Sequence, residues 1–66
     1  MPRFEVGQVV RFEGSCWVVI LAEMRSMDGG GSCPLYRLCP EDKVRRGLTC
    51  APWEFRGAWE NEVGPA

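Results

Sequence analysis

The 66-residue sequence predicts an all-β domain, and three observations carry that expectation. Apolar residues alternate with a period of two through "GQVVRFEG". Glycine and proline clusters punctuate the chain at short intervals. No long stretch repeats its apolar residues with the helical period of about 3.6. About five short strands follow from this punctuation. A chain of this length reads as one domain spanning residues 1–66. Its core is small, because a domain of this size buries only about 60% of the surface its unfolded chain exposes.

In the first strand, Val10 and Phe12 fall on one face and Val9 and Arg11 on the other, and "EGS" then supplies a tight turn. The second strand, "CWVVILAEMR", places Trp17, Val19 and Leu21 on one face and Val18, Ile20 and Ala22 on the other, so both faces are apolar for part of its length. Such a strand either lies in the middle of a strongly bent sheet or presents its outer face to another subunit. Val18, Ile20 and Ala22 are therefore a candidate self-association surface, and a homo-oligomer, dimer or higher, is expected.

"SMDGGGSCP" joins three successive glycines to a proline and reads as an exposed hairpin loop. A phosphate-cradling role does not fit it, since no helix follows the glycines and no Lys-Ser/Thr pair comes after them. "LYRLC" puts Tyr36 and Leu38 on one face with Arg37 opposite, "PEDKVRRG" is a second polar connection, and "LTCAPW" is a short strand that Pro52 stops. The expected interior is Val10, Phe12, Trp17, Val19, Tyr36, Leu38 and Leu48.

Eight basic residues against nine acidic leave a net charge of −1, which does not supply the field of a free-standing nucleic-acid binder. Basic charge is concentrated locally in Arg37, Lys43, Arg45 and Arg46, a candidate contact for nucleic acid. No apolar run approaches the roughly 18 residues of a membrane helix, so no membrane partner is expected. "MPRFEVGQ" lacks the apolar segment of a secretory signal, and a cytoplasmic setting is expected.

The four cysteines, Cys16, Cys33, Cys39 and Cys50, form no Cys-x2-Cys pair, and the chain has no histidine. A structural zinc site usually takes ligands in close pairs, and a disulfide framework needs an oxidising compartment, so reduced thiols acting as small apolar fillers are expected. Without histidine, Cys16, Cys50 and Ser15 lack the usual base of a nucleophile. The expectation is a protein that is not an enzyme and takes no metal or cofactor.

"VGQVVRF" followed by "GSCWVV", "LYRL" and "LTCAPWEF" resembles the SH3-like small barrels, over Phe4 to about Arg56. The resemblance implies a five-stranded barrel with its core at about 4–56, a C-terminal extension at 57–66, and Trp53 or Phe55 plugging one barrel end. Within that class the pattern is similar to the small barrel ahead of the motor in some bacterial Swi/Snf-type helicases, which implies an accessory role near nucleic acid. The plasmid-type dihydrofolate reductases are also short barrels of this kind, and that likeness implies an oligomeric pore-type reductase. Their pore-lining Val-Gln-Ile-Tyr segment, however, falls where this chain reads "LTCAP".

The expected function is a non-catalytic module binding a protein partner, with nucleic-acid binding as the alternative. Trp59, beyond the span of the resemblance and followed by Glu60 and Glu62, is the candidate partner contact, the two carboxylates favouring a basic ligand. The competing expectation is that Trp59 folds back as a lid on an open barrel end.

Overall fold

Phe12 and Ser15 face each other across a two-residue turn in which Glu13 and Gly14 both adopt left-handed backbone, φ 51° and 79°. That geometry matches the twist of an antiparallel hairpin. It joins strands β1 (Val9–Phe12) and β2 (Ser15–Ser26) in the computed structural model, which describes residues 3–48 and 50–66. The remaining strands are β3 (Ser32–Pro40), β4 (Arg56–Trp59) and β5 (Gly64–Pro65). All pairings are antiparallel, in the order β4-β3-β2-β1-β5.

The all-β expectation holds, with five strands in one sheet, but the expected barrel does not close. The edge strands β4 and β5 do not pair with each other, and β5 is two residues long with a proline that has no N–H to extend the ladder. Two strands are also longer than expected, with 12 residues in β2 and 9 in β3. β3 begins at Ser32, so part of the glycine-rich segment is strand. From Met24 to Pro34 these two strands pair only with each other, forming an arm whose base is held at buried Pro34, and the molecule measures 41 × 23 × 19 Å.

"LTCAPW" forms no strand among its described residues, and Thr49 lies outside them. The closing strands come instead from residues 56–65, most of which the sequence assigned to an extension. "PEDKVRRG" contains a short helix, α1 (Glu41–Arg45), rather than an irregular connection. Glu41 and Asp42 in its first turn and Lys43 and Arg45 in its last match the helix dipole.

The principal core comprises Phe4, Val10, Phe12, Val19, Tyr36, Leu38, Ala58 and Val63, with Trp17 and Ala22 packed partly against it. Five of the seven expected interior residues are buried and Trp17 borders them, but Leu48 is 47% exposed because the strand expected to carry it does not form. Phe4 enters from ahead of β1; its N–H donates to the Tyr36 hydroxyl at 3.2 Å and its ring meets the Tyr36 ring edge-on at 5.6 Å.

A bulge overturns the expected two faces of β2. Val19 opposes Leu38 and Leu21 opposes Arg37, so Ile20 is inserted between consecutive pairs and the alternation inverts. Ala22 consequently turns to the core and Leu21 to solvent. Val18 stays on the opposite face but is only 7% exposed. It pairs there with buried Cys39, where α1 lies against β2 and β3. Val18, Ile20 and Ala22 thus share no exposed face, and the expected self-association surface is absent as drawn.

Candidate interaction cleft

Pro52 opens a single 3-10 turn, Pro52–Glu54, with its restricted φ suited to a first helical position. Glu54 closes the turn from within by accepting the Ala51 N–H at 2.8 Å on Oε2. Its other oxygen, Oε1, pairs with the Lys43 ammonium on α1, which ties the turn to the helix. The hydrogen bond to Lys43, reinforced by the Ala51 N–H, holds the Glu54 carboxyl below its ordinary value. The same bond raises Lys43.

The turn leaves Trp53 84% exposed. Of the two residues expected to plug a barrel end, Trp53 or Phe55, Trp53 does not: the indole rides on the middle of a one-turn helix anchored through Glu54. Phe55 is half-buried, and the Arg37 guanidinium lies over its ring at 5.9 Å. Gly57 on β4 stands in register with Arg37 on β3 and contributes no side chain to cover it. Arg37, Pro52, Phe55 and Gly57 line an open cleft of about 610 Å³, and Trp53 follows the lining residue Pro52 on the same turn.

The other expected site residues have structural attachments. Trp59 is half-buried on β4, and its N–H donates to Glu62 Oε1 at 2.9 Å, while Glu60 lies 4.0 Å from Arg3. Trp59 precedes, and Glu60 and Glu62 bound, a second 3-10 turn, Glu60–Glu62, that leads β4 into Val63 and β5. Of the basic residues, Lys43 pairs with Glu54, Arg45 with Glu41 at 3.5 Å and Asp42 at 3.6 Å, and Arg46 with Asp42 at 3.4 Å. Arg37 has no ion pair among the described residues and stands apart on β3.

All four cysteines carry free thiols. Burial, and then a hydrogen bond with the Cys39 thiol, push Cys50 up to about 11, the opposite of what activates a nucleophilic thiol. Among the described residues no group of three His, Cys, Asp or Glu side chains is arranged to hold a metal ion, and no helix is long and apolar enough to cross a membrane.

The exposure of Trp53 had a sequence signal, a proline followed two residues later by a glutamate able to cap its own turn. Gly57 had none, because a lone glycine does not announce which side chain it leaves uncovered. Comparison with protein-family models, curated proteins and solved structures finds no match.

Proposed function

We propose that the protein is a non-catalytic, SH3-like interaction module that grips an extended segment of a protein partner across Trp53 and the adjoining cleft. The observation that carries this reading is the 84% exposure of Trp53 on an anchored turn beside an open cleft. A large aromatic carried on an anchored turn has little backbone entropy left to lose on binding, and such residues anchor interfaces at about 2 kcal/mol or more each. Protein is favoured over nucleic acid because Lys43, Arg45 and Arg46 are neutralised by Glu54, Glu41 and Asp42, and the whole chain carries a charge of −1. Free thiols fit a reducing, cytoplasmic setting.

Screening a displayed library of extended peptides against wild type and Trp53→Ala tests the reading. Selected peptides lose affinity by about 30-fold or more in the variant, equivalent to 2 kcal/mol, while its melting temperature stays within about 2 °C of wild type. Unaltered affinity removes Trp53 from the site. Binding that instead goes to single-stranded oligonucleotides and collapses with added salt replaces the protein partner with nucleic acid.

A further inference from the structure

We propose, building on that reading, that the cleft selects partner segments with an acidic side chain, the carboxylate pairing with Arg37 while neighbouring residues of the segment cover Trp53. Six of the eight basic residues are engaged within the molecule: Arg3, Arg25, Lys43, Arg45, Arg46 and Arg56 each lie within ion-pair distance of a carboxylate. Arg11 and Arg37 have no such partner among the described residues, and only Arg37 lines the cleft.

Its setting is that of a prepared anion contact. The Phe55 ring supports the guanidinium from one side at 5.9 Å, which restrains the long side chain. The planar fork can then donate two parallel N–H hydrogen bonds to a carboxylate, a geometry that lysine cannot reproduce. Gly57 keeps the approach open, because a Cβ at that position would meet no atom within 4 Å. Glu54, on the same turn as Trp53, does not compete: Oε2 accepts the Ala51 N–H and Oε1 pairs with Lys43. A single carboxylate suits one available guanidinium. A polyanion suits it less, since Lys43, Arg45 and Arg46 are already paired with carboxylates and the chain carries a net charge of −1.

The test uses two dye-labelled, C-terminally amidated pools of short degenerate peptides, identical except for Asp/Glu or Asn/Gln at one central position, with a single-stranded oligonucleotide in parallel. Fluorescence anisotropy is expected to show the acidic pool binding about tenfold tighter to wild type. Arg37→Gln should abolish that preference and Arg37→Lys retain only part of it. Gly57→Val, at a position with ordinary backbone geometry, should block both pools at an unchanged melting temperature. Trp53→Ala should weaken both pools by a similar factor. Equal binding of the two pools, lost in Trp53→Ala, overturns the carboxylate assignment and leaves the interaction module standing. An acid-free pool with a free C-terminus that binds as tightly as the acidic one overturns the side-chain source. Failure of both pools to bind wild type, or preference for the oligonucleotide, overturns this proposal together with the reading beneath it.

Discussion

Tyr36 concentrates the packing and polar requirements of the core in one side chain. It is fully buried, yet its hydroxyl is the acceptor for the Phe4 N–H. Tyr36→Phe keeps the ring and removes the acceptor, so the buried amide loses its partner. The expected cost is about 1–3 kcal/mol by denaturant titration, with no new cavity to account for it. At Cys50 a different property can be measured. A thiol pushed from its ordinary 9.0 to about 11 is almost wholly protonated at pH 8. Alkylation of Cys50 by iodoacetamide should therefore run about tenfold slower than that of an unperturbed thiol, the lost thiolate fraction outweighing its greater nucleophilicity, and a rate equal to that of an unperturbed thiol contradicts this protection. Trp53 and Trp59 show where sequence stops informing. Each is followed by a glutamate, but Trp53 sits inside a 3-10 turn and stays exposed, whereas Trp59 ends β4, where it is half-buried and pairs with Leu35 of β3, a tertiary fact absent from the local pattern.

At the scale of elements, the β1–β2 hairpin was legible because period-two alternation and a Glu-Gly turn agree with each other. Gly14→Ala should cost about 1–2 kcal/mol, since alanine resists the left-handed backbone required there, and a melting curve indistinguishable from wild type would contradict the turn geometry. The bulge at Ile20 was not legible. "VVILA" contains no glycine, proline or polar residue to mark an inversion, and only the pairing with Leu38 and Arg37 reveals it. Val18→Lys separates the two accounts of that strand. If Val18 were a subunit contact, lysine would dissociate an oligomer and leave each chain folded. Buried beside Cys39, the charge should instead lower stability by about 3 kcal/mol or more, seen as a shift in the urea midpoint. β4 and β5 escaped the sequence pattern because each is too short to show a period.

For the whole molecule, the Lys43–Glu54 pair fastens α1 to the turn that carries Trp53, and its contribution depends on pH in a definite direction. Glu54 is lowered on folding, so its share is present above the ordinary carboxyl value of 4.5 and is lost as pH falls through the folded value. Lys43 is raised, so its share is present below 10.5 and is lost as pH rises through the folded value. The difference in melting temperature between wild type and Glu54→Gln should be flat between these limits and shrink on either side. Cys50 adds a second alkaline loss, beginning above 9.0 and complete once pH passes about 11, which Cys50→Ala removes without altering the acid limb.

The arm from Met24 to Pro34 has one further consequence. Its two strands hydrogen-bond to each other and to nothing else in the sheet, and a two-stranded ribbon alone is marginally stable in water. Its amides should exchange with deuterium through local opening, at free energies near zero, while those of Tyr36 and Leu38 wait for global unfolding. The protein then behaves as a cooperative head bearing a ribbon that melts and reforms on its own schedule. Trypsin should find Arg25 there first and cut it while the head keeps its near-ultraviolet circular dichroism. Uniform protection along all of β2 and β3 would show that arm and head open as one unit.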